Sequence, residues 1–457
     1  MWGRREITVT WEREMRMWTL LAVVLCATFV GCTESAAPPA VTHVVAIVGA
    51  RLIDGTGAEP ITDAVVVIED GRILTAGSRS SINVPDGAEI INGVGKTIIP
   101  GLVETHAHYH GDLARVEAQY KKQLYFGVTT SRSIGSDPAD KVAKALEARA
   151  GAIPGPRMYT AGLGFSFPEG FPPGLPVNRP STEDEARLLV HDLADQGVHF
   201  VKMWVNAMPD PGFKITAEMQ SVIVAEAMAL DLIPVAHINE ETDLRQLVDI
   251  GVRDFLHTAQ DSDLGPEFLK MCRTAGVTFS PTLTNIEAGW YWVEHPDDLK
   301  DPEIQAAFEP EAFTRWSDPA VREEAAVAPN LTSRKARLTG AMTFVKTVVD
   351  AGIPVAVGTD SGSSSWNVPM GWGTHRELQL YVEAGLTPMQ AIVAATRTGA
   401  ELLAQGDADY GTVQPGMVAD FVVLDANPLA DIHNTLAIDR VMQGGKWLDR
   451  DALMPMP

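Results

Sequence analysis

The sequence predicts an α/β protein: a (β/α)8 barrel with a small β-sandwich domain built from both chain ends. Three observations carry that expectation. Eight short apolar or β-branched runs alternate with helical patterns through the middle of the chain. Hairpin-like sequence, broken by Asp-Gly and Gly-Gly, occupies both ends. The 457 residues, 46% of them hydrophobic, can bury a barrel-sized core.

Taken in order, residues 1–40 read as a leader and tether. MRMWTLLAVVLCATFVGCTESAAPPA starts basic, runs apolar from Leu20 to Val30, and reaches Gly31-Cys32. The apolar run is too short to span a membrane and fits a secretory segment. Phe29-Val30-Gly31-Cys32 resembles a bacterial lipoprotein box, with Phe29 where Leu is usual. It implies cleavage before Cys32 and lipidation of that thiol; a plain signal peptide is the alternative. Residues 1–14 read as an over-extended start. The expected location is the bacterial cell envelope or periplasm, lipid-anchored. Cys26 lies in the leader, so Cys272 is left as the lone cysteine of the mature body and reads as a small buried apolar residue.

GARLIDGTG and AVVVIEDGRILTAG then read as antiparallel strands, and GTVQPGMVADFVVLDANP with IDRVMQGGKWL returns the same pattern at the C-terminus. Residues 41–98 and 414–457 are therefore expected to share the sandwich, and 99–413 to form the barrel. Its strand candidates are residues 101–106, 128–133, 157–162, 200–206, 233–238, 253–258, 277–283 and 353–359. Ser181 and Thr216 sit where helix N-caps are expected, with Gly197 after the first of those helices. Residues 285–350 make too long a connection for a simple crossover and are expected to form a helical lid.

A formal net charge of −23 argues against a nucleic-acid partner, because phosphates must be met by Lys and Arg. The expected partner is a small-molecule substrate. Membrane contact is expected through the lipid anchor alone, and homo-oligomerisation is left open.

Barrel active sites gather at the C-terminal ends of the strands. There GLVETHAHYH carries His106 and His108, whose i, i+2 spacing puts both on one face of an extended segment. HFVKMWVN carries Lys202, IPVAHI ends near His237, RDFLHTA carries His257, and IPVAVGTDSG carries Asp360. Singly each has a plain structural reading: a polar loop, a hydrogen-bonded core histidine, a helix-capping Asp. A lysine inside an apolar strand is the odd member, since an unpaired buried ammonium is costly. Together the six are side chains suited to zinc. His110 reads as a pocket-lining or solvent-facing residue.

The ordered set HxH, Lys, His, His, Asp on successive strands resembles the amidohydrolase superfamily, in particular the imidazolonepropionase-like group that includes prolidase-type dipeptidases and ochratoxin-type amidases. The likeness runs from GARLIDGTG and TIIPGLVETHAH to HRELQLYVEAGLTPMQAIVAATRTGAELL. It implies a centre of two Zn2+ ions, although another divalent metal would suit the same donors. His106, His108 and Asp360 would hold one ion, and His237 and His257 the other. A carboxylated Lys202 would bridge them. It also implies Asp360 as the catalytic proton carrier in hydrolysis of an amide or peptide bond of a small N-acyl amino acid or dipeptide-like substrate. A cyclic amide or lactone on the same centre is the alternative, and a non-catalytic binding protein the remote one. Arg132, Trp204 and Trp366 are the candidate substrate contacts, with Arg376 a further candidate for a carboxylate. WVNAMPDPG departs from the Gly-rich sequence that often follows the strand-four lysine in prolidase-like relatives. Ser133 stands where related sequences often place an acid beside Arg132.

Overall fold

The computed structural model describes residues 44–206, 213–362 and 367–454. Cys32 and Trp366 lie outside the described residues.

Five strands open the described chain: β1 (Val44–Leu52), β2 (Ile61–Glu69), β3 (Arg72–Ser78), β4 (Glu89–Asn92) and β5 (Thr97–Pro100). Asp70 and Gly71 alone join β2 to β3, with φ of 48° and 81°. Positive φ at both central residues is the turn that matches strand twist in a two-residue hairpin, and Asp-Gly is suited to it. Far along the chain come β13 (Phe421–Leu424), β14 (Ile438–Gln443) and β15 (Lys446–Trp447). β13 pairs antiparallel with β5, so the chain ends merge into one eight-stranded sheet ordered β15-β14-β13-β5-β1-β2-β3, with β4 on β1. Ile47, Leu52, Val66, Ile98 and Phe421 pack together in its core.

Between them lie seven further strands: β6 (Leu102–Ala107), β7 (Val128–Ser133), β8 (Arg157–Thr160), β9 (Phe200–Val205), β10 (Ile233–Ile238), β11 (Asp254–Leu256) and β12 (Thr278–Ser280). They form two parallel sheets, β6-β7-β8 and β9-β10-β11-β12. A parallel bridge from Phe165 to Met203 joins the sheets, and another from Phe279 to Val355 adds residues 353–359 after β12. The last segment returns to the first: Thr105 N–H donates to Val357 O at 2.9 Å, and Ala107 bridges Ser361. Eight parallel segments are thus bonded in a ring. The eighth is held by isolated bridges where the sequence predicts a full strand. A Cβ at Gly358 would lie 2.8 Å from that of His106, so the first and eighth segments approach closely where the candidate site begins.

Several of the helices between strands are capped by side chains. Thr182, one residue past the expected Ser181, caps Glu183–Asp195 by accepting from Glu185 N–H at 3.2 Å, while the Glu185 carboxylate accepts from Ser181 N–H at 2.7 Å. The reciprocal bonding places both residues in one N-terminal box. Thr216 caps Ala217–Ala229 as expected. Cys272 is buried against the core, and burial pushes its thiol up to about 12. Among the described residues no helix is long and apolar enough to cross a membrane.

The long connection holds six α-helices, from Leu283–Glu287 to Leu331–Asp350, and one 3-10 helix, Asp298–Lys300. Its aromatic residues pack on one another: the Trp292 ring lies 4.7 Å from Phe308 and 5.2 Å from Trp372. Tyr291, Trp292 and Trp372 are buried there and do not line the candidate site. Both indoles of Trp292 and Trp316 donate to Asn367, to its carbonyl at 3.1 Å and its side chain at 2.9 Å. The long connection is thereby tied to Asn367, downstream of Asp360; none of its residues lines the cavity that holds Asp360, so its expected role as a lid is not seen there.

Candidate metal centre

His106, His108, His237, His257 and Asp360 share one cavity of about 70 Å³, walled by Trp204, Phe171, Pro172 and Leu175. Parity explains the first pair: on β6 the side chains of Glu104 and His106 point inward, and His108 continues that face just past the strand. His106 Nε2 lies 3.3 Å and His108 Nε2 3.1 Å from the same oxygen, Asp360 Oδ1. One nitrogen or oxygen each from His106, His257 and Asp360 lie within 4.8 Å of one another, a separation an ion can fill. The His237 and His257 rings meet edge to face at 4.2 Å. Burial holds His106 down to about 3, and burial with neighbouring charges holds His237 and His257 well below the imidazole range. All three are neutral at pH 7, the form that binds a metal.

Three residues at the ends of successive segments, His257, Thr282 and Asp360, have φ of 70°, 57° and 56°. Left-handed backbone at non-glycine residues costs about 1 kcal/mol or more each and gathers where function over-determines geometry. The surrounding bonds supply that constraint. The Thr282 hydroxyl lies 2.6 Å from His257 Nδ1, and Ser136 Oγ lies 3.3 Å from His108 Nδ1. Each leaves Nε2 as the outward ligand atom.

Lys202 is fully buried on β9, its Nζ 5.0 Å from the Trp204 ring centre and without a hydrogen-bond partner among the described residues. Burial pulls its amine down to about 7. Burial would raise the Asp360 carboxyl, but the His106 and His108 imidazoles outweigh it and hold Asp360 well below the carboxylate range.

Arg132 does not reach the cavity, which corrects its reading as a substrate contact. It is fully buried, ion-paired to Asp254 of β11, and donates to Thr105 O at 2.6 Å. The acid that Ser133 does not supply comes instead from a different strand. Arg376 is likewise consumed, between Glu287 at 2.7 Å and Glu383 at 2.6 Å. Trp204 lines the cavity as expected, and so does His110. FSFPEGFPPG contributes Phe171 and Pro172, pinned by Arg179 donating to the carbonyls of Phe167 at 2.6 Å and Pro172 at 2.7 Å.

Two buried glutamates escaped the sequence reading. Glu104 accepts from His106 N–H at 2.9 Å and Thr359 N–H at 3.0 Å, locking the first and eighth segments beside their candidate ligands. Glu377, pushed up to about 8 by burial, accepts from Leu283 N–H, Thr284 N–H and the Thr284 hydroxyl at 2.6–2.8 Å. The only signal for Glu104 was its place two residues before His106 on the inward face. Glu377→Ala strands three buried donors beside Thr282, so we expect a stability loss of about 3 kcal/mol or more, read from the denaturant midpoint.

A model of the amidohydrolase family matches residues 97–448. The chain belongs to the amidohydrolase family. This amidohydrolase is 24% identical to ochratoxinase from Aspergillus niger over 461 aligned positions, covering 88% of this chain and 86% of the relative. It is 27% identical to imidazolonepropionase from Streptomyces griseus subsp. griseus over 410 positions, covering 85% and 92%. Among solved structures it matches a Xaa-Pro dipeptidase with methionine bound in its active site, at TM-score 0.70, 21% identity and 89% and 99% coverage. It also matches A. niger ochratoxinase at TM-score 0.68, 22% identity and 89% and 95% coverage. The structural likeness implies a TIM barrel, and the ring of eight parallel segments agrees with it. The amidohydrolase is an enzyme acting on carbon–nitrogen bonds, which removes the non-catalytic reading.

Proposed function

We propose that this amidohydrolase cleaves the amide or peptide bond of a small N-acyl amino acid or dipeptide-like substrate with two divalent metal ions, zinc by the donor set. The observation that carries the reading is the convergence of His106, His108, His237, His257 and Asp360 on one cavity beside a buried, unpartnered Lys202. The residues fit a metal: His106 Nδ1 and Lys202 Nζ are both buried without partners, a costly state for polar atoms unless a bound group completes the site. His106, His108 and Asp360 would hold one ion, His237 and His257 the other. Lys202 would bridge them after its neutral amine adds to CO2, forming the N–C bond of a carbamate and releasing one proton. Bound there, the ions supply a water activated near neutral pH and polarise the scissile carbonyl.

The chain's own groups do the rest. Asp360 takes the proton of the attacking water at its carboxylate and returns it to the leaving nitrogen, so a carboxylate and an amine leave. Thr282 and Ser136 keep the His257 and His108 rings in register. Trp204, Phe171 and Leu175 exclude bulk water. A structural neighbour that holds methionine in its active site supports an amino-acid-type product.

The similarity to imidazolonepropionase favours a second reading, hydrolysis of a cyclic amide, with a lactone as a further variant. Parallel assays of N-acyl amino acids, dipeptides, lactams and lactones, with zinc and bicarbonate added, separate the two. Turnover of linear amides is the expected result; turnover confined to the cyclic substrates contradicts it.

The lipobox-like Phe29-Val30-Gly31-Cys32 supports export and lipid anchoring at Cys32. Radiolabelled palmitate should enter the wild-type protein in a bacterial host and not Cys32→Ser; equal labelling contradicts the anchor.

A further inference from the structure

The cavity that gathers the candidate ligands is small. At about 70 Å³ it falls well below the roughly 300 Å³ or more of a usual small-molecule site. Beside the ligands and His110, the side chains that narrow it are Phe171, Pro172, Leu175 and Trp204. Three sets of contacts fix this wall. The Trp204 indole is buried against two glycine backbones: a Cβ at Gly164 or Gly135 would lie 2.6 or 2.7 Å from its ring atoms. The loop of residues 163–178 is rooted on the same strand, β9. Phe165 N–H donates to Lys202 O at 2.7 Å, and Trp204 N–H donates to Phe165 O at 2.9 Å. Within the loop, the Ser166 hydroxyl donates to Phe171 O at 2.6 Å. The Arg179 guanidinium donates to the carbonyls of Phe167, Pro168, Gly170 and Pro172 at 2.6–3.2 Å. A backbone held at so many points leaves Phe171 and Leu175 only half-buried, with apolar surface turned to the cavity.

The chemistry sets which half of the substrate meets this wall. Asp360 returns a proton to the leaving nitrogen, so the amine half lies on its side. Phe171 packs instead toward His237, its ring centre 6.0 Å from that imidazole, where the acyl half falls. We propose that Phe171 and Leu175 determine specificity: with Trp204 they admit a short acyl group and exclude a bulky one. The proposal rests on the hydrolase reading above and narrows its substrate class.

The test uses zinc-loaded full-length enzyme with N-acetyl-, N-butanoyl- and N-benzoyl-leucine. Wild type should favour acetyl over benzoyl by roughly tenfold or more in kcat/KM. Phe171→Ala should raise the benzoyl-to-acetyl ratio by roughly tenfold or more, and the Phe171→Ala/Leu175→Ala double variant should raise it further. Phe171→Leu, which keeps an apolar group on the loop, should fall between wild type and Phe171→Ala. A wild type that takes benzoyl as readily as acetyl, or variants that keep the wild-type ratio, overturn the wall while leaving the hydrolase reading intact. Absence of turnover of all three by every form overturns the N-acyl amino acid reading instead. A second readout is independent of turnover. Acetohydroxamate should raise the Tm of wild type and Phe171→Ala alike, and benzohydroxamate that of Phe171→Ala alone. Equal protection of both forms by benzohydroxamate overturns the wall.

Discussion

Lys202→Ala should abolish hydrolysis, with a loss of roughly a thousandfold or more in kcat, and should lower bound metal in the same preparation. The lysine is fully enclosed, carries no hydrogen bond at Nζ, and has its amine pulled down to about 7 by burial. As a plain ammonium it would be a cost without a return. As a carbamate it becomes an anion with two oxygen ligands, set among neutral imidazoles. The sign of the pH effect follows. Only the neutral amine adds CO2, so uptake of labelled bicarbonate by the metal-free protein should rise as pH climbs through about 7 and fall below it. Hydrolysis by Lys202→Ala at the wild-type rate, with full metal content, contradicts the mechanism.

Asp360→Asn is expected to cost between about a hundredfold and ten-thousandfold in kcat with little change in stability. Asparagine keeps the size of the side chain and tolerates the left-handed backbone, φ 56°, that Asp360 adopts. The substitution therefore removes the proton acceptor without the backbone strain that alanine would add. Steady-state kinetics beside a denaturant titration separates the two effects. A variant that retains kcat assigns the proton transfer to another group.

Much of the site was legible because strand geometry is simple. Alternation on β6 points Glu104 and His106 inward and carries His108 on the same face, and a short apolar run ending in a polar ligand type is visible without any contact map. Asp-Gly at 70–71 marked its hairpin for the same kind of local reason. What failed to show was non-local. The partner of Arg132 is Asp254, 122 positions away on another strand, and spacing carries no trace of that pairing. The bonds of Glu104 to Thr359 and of Glu377 to Leu283 and Thr284 likewise exist only once the ring closes. In the long connection the Trp292 and Trp316 indoles pack among neighbouring aromatic residues and donate to Asn367, because a run of short helices needs its own core.

Metal content tests the central claim most directly. Protein purified without chelators and measured by inductively coupled plasma mass spectrometry should carry about two equivalents of divalent metal per chain, chiefly zinc, and should lose both activity and metal on dialysis against a chelator. Less than about one equivalent in an active preparation, or activity that survives complete removal of metal, contradicts it.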